Sequence, residues 1–402
     1  MRASEIHRAV HEREPRSARR VPSAALLVAI ALAAACATVP YTGRHQLAIV
    51  SDESEVGASA QLYGAMRRRT LVSPDDGAQA IVREVGRRIA AVSGEPGWSW
   101  EFTLFADDDE VNAWALPGGK VGIYTGIFPV ARSEAGLATI IGHEVAHAIA
   151  HHSGERASQS MILGVLGRGL VRAGGAVAPG SENMLERAFG VGAEYGVLLP
   201  FSRAQESEAD EIGVILMAKA GYDPRVAVQV WQRMQDMEHS RHEPPEFAST
   251  HPSYGTRISR IAAAVPHALA YYRGDDVPHA LPLLDTLAQP DPSERALLDA
   301  MDRVDRVVAK SNDSSAVAFA IATEFEATPE RVVGFANATK LTPGETALVL
   351  ATARDGRANA RDIADDARAG HPWHAVVRDH RADPAAVAAE LDYIARNASA
   401  LR

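Results

Sequence analysis

The first half of the chain changes between helical and strand-like spacing of its apolar residues. Residues 52–92 repeat apolar positions at helical intervals, and a Ser-Pro-Asp-Asp break at 73–76 divides them into two predicted helices. Residues 100–104 then alternate apolar and polar side chains, which predicts a strand. Two further strands are predicted at 111–116 and 120–124, because a Pro-Gly-Gly turn joins them. The pattern therefore predicts two helices followed by a small sheet.

Helices dominate the chain after the predicted sheet. One helix is predicted at 133–152, where Ser133 can act as the N-cap and a Ser-Gly pair ends the helix. Further helices are predicted at 202–220 and 224–238, on either side of a Gly-Tyr-Asp-Pro stop. The intervening residues 160–200 are apolar and glycine-rich, and we expect them to form a lid over a cleft. The expected fold class is α+β and predominantly helical.

The composition changes again toward the C-terminus. Proline and aspartate are frequent at 275–293, and the chain from Ser293 onward is helical in pattern and rich in alanine. This part carries no catalytic constellation, which favours a region that packs or binds a protein partner over an enzymatic one. We therefore predict a linker at 271–294 and a separate helical region at 295–402.

Composition limits the chemistry that the chain can carry. Its 402 residues, with 47% hydrophobic content, suffice for at least one full core. The single cysteine, Cys36, excludes an intramolecular disulfide and a cysteine-rich metal site, so a metal site must use histidine and carboxylate ligands. The formal net charge of -10 argues against nucleic acid as a partner.

The N-terminus has the features of a targeting segment. Several arginines precede an uncharged stretch at 21–35 that runs directly into Cys36. These residues resemble the lipobox of bacterial lipoproteins, which implies a signal peptide at 1–35, lipidation of Cys36 and attachment to a membrane through the lipid. The alternatives are cleavage at a nearby alanine and an uncleaved apolar anchor. Ala37 replaces the aspartate of an inner-membrane retention signal, so we predict an outer-membrane lipoprotein at the periplasmic face of the bacterial cell envelope.

The catalytic chemistry is concentrated in a His-Glu-Val-Ala-His sequence at 143–147. His143 and His147 lie about one turn apart on one face of the predicted helix, so both imidazoles can reach a single metal ion. Glu144 lies at the edge of that face, where a carboxylate can take a proton from an attacking water. The surrounding residues are apolar or small, and polar groups buried among them require a partner or a metal. We therefore predict one zinc ion per chain and general-base catalysis by Glu144.

The third zinc ligand has several candidates in the sequence. His151 and His152 follow closely, but in a continuous helix they lie too far along it to close a tetrahedron around the same ion. The charged start of the next helix offers Glu206 and Asp210 on one face, so that one can bind the metal while the other orients a ligand histidine. Glu208 points to the opposite side of this helix, and we expect it to be solvated.

Five segments together resemble the HtpX-like and CAAX-prenyl-type zinc metalloproteases, in particular their periplasmic lipoprotein branch. The resemblance covers roughly residues 36–265, and it implies a zincin domain of the gluzincin type within 36–270. It also implies that His143, His147 and Glu206 bind zinc. Glu144 would then be the base, and Asp210 would orient a ligand histidine. The segments are Pro40-Tyr41-Thr42-Gly43-Arg44, Asn112 to Gly119, His143 to His147, Ser202 to Asp210, and Thr250-His251-Pro252-Ser253 with Arg257.

The same resemblance gives a role to the first strand of the predicted hairpin. It implies that an extended substrate adds as a further strand to an edge formed by Asn112, Ala113, Trp114 and Ala115. The alternative is an ordinary sheet edge without a substrate.

His251 and Arg257 have several possible roles. In some periplasmic relatives a histidine in this context reaches the zinc as a fourth ligand and blocks the water site, which would make the enzyme latent. Alternatively, His251 and Arg257 stabilise the oxyanion of the tetrahedral intermediate or cap the following helix.

These features favour a zinc metalloendopeptidase that hydrolyses misfolded or mistargeted proteins of the bacterial envelope. Protein or peptide substrates are the expected partners. The first alternative is a chaperone-like or scaffolding lipoprotein with little proteolytic activity, in which residues 295–402 bind a partner. The retained Glu144 argues against that alternative. A metalloenzyme that acts on the cell wall is a further alternative, which the predicted edge strand disfavours.

Overall fold

The computed structural model describes residues 36–159, 202–240, 247, 251, 254–274, 279–311 and 314–401. The predicted signal peptide at 1–35 and the predicted lid at 160–200 lie outside these residues. The described structure begins with a hairpin of β1 (Cys36–Thr38) and β2 (His45–Leu47), followed by helices α1 (Asp52–Arg69) and α2 (Asp76–Val92). None of the described helices is long and apolar enough to cross a membrane.

The small sheet consists of β3 (Glu101–Phe105), β4 (Ala113–Leu116) and β5 (Lys120–Tyr124), in the order β3-β5-β4. β4 and β5 form the expected antiparallel hairpin, in which Leu116 lies opposite Lys120. Their turn requires glycine, because Gly118 and Gly119 have φ angles of +90° and +89°. β3 runs parallel to β5. In the described part of the chain, β4 therefore forms one edge of the sheet.

The histidine-bearing helix α4 (Glu134–Ile149) follows the short helix α3 (Phe128–Ala131), and its residues are buried along almost its whole length. Ser133 caps α4 as expected, since its hydroxyl oxygen accepts a hydrogen bond of 3.1 Å from the N–H of Gly136. The prediction that this helix continues to His152 is wrong. α4 ends at Ile149, His151 adopts a left-handed φ of 51°, and residues 152–159 form a new helical segment.

The break at His151 has a cause outside the helix. A left-handed conformation costs a residue with a Cβ roughly 1–2 kcal/mol, so it requires compensation. His151 Nδ1 lies 2.7 Å from Oε2 of Glu55 in α1, which is 96 positions away in the sequence. The ring of His151 also packs edge-on against Trp98. Because both contacts depend on tertiary structure, the local pattern could not reveal the break.

The described residues of this half continue with the helices α5 (Arg203–Lys219), α6 (Val226–Ser240) and α7 (Tyr254–Ala268). α5 packs along α4 in a core that also includes α2, the sheet and α6. Gly142 of α4 faces Gly213 of α5 where the helices cross, and a Cβ on Gly213 would lie 2.9 Å from the backbone nitrogen of His143. The two glycines therefore allow the backbones to approach closely, which brings the start of α5 toward the histidines of α4.

Replacing Gly213 by alanine is expected to separate α4 from α5 and to lower the free energy of unfolding by about 1–3 kcal/mol, because the added Cβ meets backbone atoms. Thermal unfolding measures the stability, and a zinc titration measures the weaker metal binding that should accompany the loss. Gly334→Ala, in a helix of the C-terminal region, is the matched control because nothing lies within 4 Å of its added Cβ. An equal Tm for both variants would contradict the role of the glycine pair.

The C-terminal region is all helical, as predicted. It consists of α8 (Pro292–Ser311), α9 (Ser315–Glu324), α10 (Pro329–Thr339), α11 (Pro343–Asp355), α12 (Ala360–Arg368), α13 (Trp373–Asp379) and α14 (Pro384–Ala400). Thr328, Thr342 and Asp383 cap three of these helices, each of which begins with proline. The predominantly helical fold with a small sheet confirms the expected fold class.

The C-terminal helices have a hydrophobic core of their own, in which α8 and α14 pack together. This core also takes in Leu71 and Ala106 from the first half of the chain. An ion pair between Arg69 of α1 and Asp305 of α8 adds a polar contact between the two halves. The division of the chain into a 36–270 domain, a 271–294 linker and a 295–402 region stays a prediction.

Candidate metal centre

Three side chains from α4 and α5 converge at a buried point near the helix crossing. His147 Nε2 lies 3.1 Å from His143 Nε2. Glu206 places Oε2 3.6 Å from His143 Nε2 and Oε1 3.4 Å from His147 Nε2. Ser202 and Gln205 form a capping box that starts α5 just before Glu206. The structure thus brings together the three residues that were expected to bind zinc.

His251 is a fourth member of this cluster. Its Nδ1 lies 2.9 Å from Glu206 Oε1 and 3.3 Å from His143 Nε2. Phe247 stacks on the imidazole with a centroid distance of 4.4 Å, and His251 is only 3% exposed. Among the roles that the sequence leaves open for His251, this geometry fits a position at the metal.

The donor set of the cluster fits a zinc ion. His143, His147, Glu206 and His251 each offer a ligand atom, and these atoms all lie within 4.8 Å of one another. Burial lowers the pKa of His143 to about 4 and holds that of His147 well below its usual value, so both rings keep a lone pair for a metal. Among the described residues, Glu144 Oε1 is buried without a hydrogen bond, and Glu206 Oε2 is buried in an ion pair with Arg257. Such oxygens are costly to bury unless a cation faces them.

Arg257 of α7 clamps the carboxylates around the cluster. It donates to Asp210 through Nε at 2.9 Å and Nη2 at 2.7 Å, and its Nη1 lies 2.8 Å from Glu206 Oε2. Burial alone would raise the pKa of each carboxyl, but the charge of Arg257 helps to hold the pKa of Asp210 below its usual value and that of Glu206 well below it. Asp210 Oδ1 in turn lies 3.0 Å from His143 Nδ1, the position from which a carboxylate can orient a ligand ring.

Glu144 lies beside the cluster and is only 3% exposed. Its Oε1 lies 3.6 Å from His251 Nε2. Burial raises the pKa of Glu144 to about 7, and the charge of Glu206 acts in the same direction, whereas His251 and Arg257 oppose the shift. A carboxyl group with a pKa near neutrality can both accept and release a proton, which is what a general base in peptide hydrolysis must do.

The predicted substrate strand packs against the helix that carries the two histidines. Ala113, Trp114 and Ala115 belong to β4, and Asn112 precedes it directly. The carbonyl oxygen of Asn112 accepts a hydrogen bond of 3.1 Å from the N–H of Tyr124, so the pairing with β5 begins one residue before the strand. The role of these residues in substrate binding stays a prediction.

Glu208 corrects one expectation about α5. The prediction that this side chain is solvated is wrong, because Glu208 is only 6% exposed. It accepts hydrogen bonds from the hydroxyl of Thr42 and, at 2.7 Å, from Nε of Arg44. Both donors lie in the Pro-Tyr-Thr-Gly-Arg segment after Cys36, for which sequence analysis found no partner. A buried carboxylate 164 positions from its arginine leaves no local signal in the sequence.

His152 is a residue of the site that sequence analysis excluded. It is fully buried, and its Nδ1 lies 2.9 Å from Nδ1 of His147. A continuous helix would carry His152 further along its axis, whereas the chain turns at His151. His152 therefore lies behind a ligand histidine rather than further along the helix, and the spacing alone could not predict this position.

Comparison with curated proteins finds relatives among peptidases. The chain is 37% identical over 198 residues to the mitochondrial metalloendopeptidase OMA1 of Schizosaccharomyces pombe, which covers 49% of this chain and 56% of that protein. It is 31% identical over 241 residues to the mitochondrial metalloendopeptidase OMA1 of Homo sapiens, and the match covers 57% of this chain and 46% of that protein. The β-barrel assembly-enhancing protease of Yersinia pestis is 26% identical over 244 residues, and the match covers 58% of this chain and 49% of that protein. The chain thus spans about half the length of these relatives.

These relatives overturn the predicted localisation. The relatives from Schizosaccharomyces pombe and Homo sapiens are both named as mitochondrial enzymes, so the prediction of a lipoprotein in the outer membrane of a bacterial envelope is wrong. The inference failed because an arginine-rich segment before apolar residues occurs in several kinds of targeting sequence. Lipidation of Cys36 stays a prediction.

The family comparison covers the part of the chain that builds the cluster. The model of peptidase family M48 matches residues 77–265, which include α4, α5, most of α7 and all four residues of the cluster. Members of this family depend on zinc, and the relatives support a metalloendopeptidase. Residues 77–265 thus match a domain of peptidase family M48, and the buried cluster of three histidines and a glutamate within them is able to bind the zinc ion on which such metallopeptidases depend.

Proposed function

We propose that the chain is a zinc metalloendopeptidase that cleaves extended segments of misfolded or mistargeted proteins. In this proposal His143, His147 and Glu206 hold the zinc, and Glu144 is the general base. One observation carries it: four buried ligand atoms lie within 4.8 Å of one another, beside a carboxylate oxygen of Glu144 that has no hydrogen bond among the described residues.

Each group of the site has a defined task in peptide hydrolysis. Zinc, when bound, supplies a Lewis acid and lowers the pKa of a water molecule. Glu144 takes the proton from the attacking water and passes it to the nitrogen of the leaving amine. Asp210 and Arg257 hold His143 and Glu206 in place. Burial of these residues excludes bulk water, which strengthens the electrostatic interactions within the site.

An extended peptide is the substrate that the sheet can receive. β4 pairs with β5 on one side, and the described part of the chain places no strand on its other side. An unpaired edge offers main-chain groups to a further strand, and such pairing depends little on the side chains of the substrate. Misfolded proteins expose extended segments of this kind, which supports them as substrates.

We also propose that His251 keeps the resting site closed. His251 belongs to the cluster of four ligand residues, its Nδ1 lies 2.9 Å from Glu206 Oε1, and Phe247 packs against the ring. Four protein ligands complete a tetrahedral zinc site, whereas a catalytic site keeps one position open for water. Displacement of the ring would therefore open the site, and removal of the ring should increase activity.

Cleavage of unfolded casein by the purified chain tests both proposals. The zinc-loaded protein is expected to cleave casein, a chelator is expected to abolish cleavage, and added zinc is expected to restore it. His251→Ala should cleave faster than the wild-type protein because a metal position becomes available to water. His267→Ala, which alters an exposed histidine in α7, is the control and should leave the rate unchanged. Zinc binding without cleavage by either protein would overturn the peptidase proposal and favour the scaffolding alternative.

A further inference from the structure

Polar contacts connect the cluster to the N-terminal hairpin formed by β1 and β2. His147 directs Nε2 toward the other ligands, and its Nδ1 lies 2.9 Å from Nδ1 of His152. His152 Nε2 lies 3.0 Å from Oε2 of Glu208. Glu208 accepts hydrogen bonds from Thr42 and Arg44, which lie in the connection between β1 and β2. Two side chains, those of His152 and Glu208, therefore separate the hairpin from a predicted zinc ligand.

Arg44 is fixed by carboxylates on two sides. Its Nη1 and Nη2 donate to Oε1 and Oε2 of Glu155 at 2.8 and 2.9 Å, while Nε donates to Glu208 at 2.7 Å. Gln205 donates a further hydrogen bond of 2.9 Å to Glu155. Glu155 and Glu208 are each only 6% exposed. Bidentate pairs of arginine and carboxylate fix orientation as well as distance, so Arg44 supports Glu208 in a defined position.

The same contacts select a tautomer of His147. An ionised Glu208 can only accept hydrogen bonds, so Nε2 of His152 must be the donor. A neutral His152 then has its lone pair on Nδ1 and accepts at that atom. His147 must therefore carry its proton on Nδ1, which leaves the lone pair of Nε2 directed at the cluster.

The break in the helix at His151 makes this arrangement possible. In a continuous α-helix, His152 would lie about 140° around the axis from His147, because each residue advances by about 100°. The left-handed turn at His151 instead returns the chain, so that the rings of His147 and His152 lie 4.9 Å apart at an angle of 76°.

We propose that the N-terminal hairpin positions the metal ligand His147, with Thr42 and Arg44 acting through Glu208 and His152. This inference rests on the proposed function in one respect, the assignment of His147 as a zinc ligand. It gives a role to the Pro-Tyr-Thr-Gly-Arg segment, which contains none of the proposed ligands or the base. Loss of the hairpin contacts weakens zinc binding although every ligand remains present.

Zinc affinity of the full chain, measured by competition with a chromogenic chelator, tests this role. Glu208→Gln is expected to weaken zinc binding by about 10–100-fold, the range found for residues that orient a ligand histidine. Thr42→Val removes one hydroxyl and should weaken binding to a smaller extent, whereas Thr42→Ser keeps the hydroxyl and should restore it. The visible spectrum of the Co²⁺-loaded protein should change in Glu208→Gln, because it reports the geometry around the metal.

Arg69→Ala is the matched control for Arg44→Ala. The two arginine side chains are 28% and 31% exposed, and each pairs with two carboxylates. Arg69, however, joins α1 to α8, so Arg69→Ala should lower the Tm without changing the zinc affinity. Arg44→Ala should lower both.

Unchanged zinc affinity together with an unchanged Co²⁺ spectrum in Arg44→Ala and Glu208→Gln would overturn the positioning role. If Glu208→Gln does not fold, the comparison of Thr42→Val with Thr42→Ser decides the question, because Thr42 is partly exposed and its replacement leaves the core intact. Failure of the peptidase proposal gives a different result. In that case the wild-type protein binds zinc and the variants bind it more weakly, but no protein cleaves casein.

Discussion

Replacement of Glu144 by glutamine is expected to lower kcat for casein cleavage by about 10²–10⁴-fold, the usual contribution of a general base. Glutamine keeps the size of the side chain but cannot take a proton from water. Glu144 is buried beside the cluster with a pKa near 7, which suits proton transfer at neutral pH. Initial rates at saturating casein measure the loss. The zinc content of the variant should equal that of the wild-type protein, because Glu144 is not among the clustered ligand atoms.

Glu134→Gln provides a control within the same helix. Glu134 lies in the first turn of α4, away from the ligand cluster, and it faces His279. This variant should retain the wild-type rate. A Glu144→Gln protein that binds zinc and still cleaves casein at the rate of Glu134→Gln would exclude Glu144 as the base.

Replacement of Arg257 by methionine is expected to cost about 3–5 kcal/mol of unfolding free energy in the metal-free protein, the range for breaking a buried ion pair. Arg257 is 2% exposed, and its removal leaves the carboxylates of Asp210 and Glu206 buried without their cation. Zinc should recover part of this stability, because a bound divalent cation supplies positive charge beside Glu206 and stabilises the folded state that binds it. Urea unfolding with and without zinc measures both effects.

Arg225→Met is the control for the loss of an arginine. Arg225 pairs with Asp223 at 2.6 Å, but its side chain is 64% exposed, and an exposed pair contributes little to stability. We expect a small change that zinc does not alter. If Arg257→Met were no less stable than Arg225→Met, or if zinc gave it no additional stability, Arg257 could not be the clamp described above.

The parts of this protein that the sequence predicts are those with local patterns. The helical spacing of apolar residues predicts α4 and its cap at Ser133, and the alternating pattern with a glycine turn predicts the β4–β5 hairpin. The His-Glu-Val-Ala-His spacing places both histidines on one face because a helix repeats every 3.6 residues. Glu206 could be selected only with the resemblance to a family, since Asp210 lies on the same face of α5.

The parts that the sequence does not predict depend on contacts between distant residues. The left-handed His151 is held by Glu55 and Trp98, neither of which is near it in the chain. Glu208 has the position of a solvated residue on a helix, yet Thr42 and Arg44 cover it from the N-terminal hairpin. His152 stays outside the ligand cluster as expected, but the direction of its ring could not be predicted, because it depends on the break at His151.

The support of His147 by the hairpin has a consequence for the order of folding. Thr42 and Glu208 are 166 positions apart, so their contact closes a long loop whose entropic cost must be met before the contact stabilises anything. The backbone hydrogen bonds of helix α4 join residues close in the sequence, so this helix can form early, with both histidines already on one face. The chain therefore has a rudimentary metal-binding helix before it has a site that holds His147 in the orientation zinc requires. Tight binding of zinc then coincides with the completion of folding. On the proposed function, a partly folded chain binds zinc weakly and therefore does not cleave neighbouring proteins.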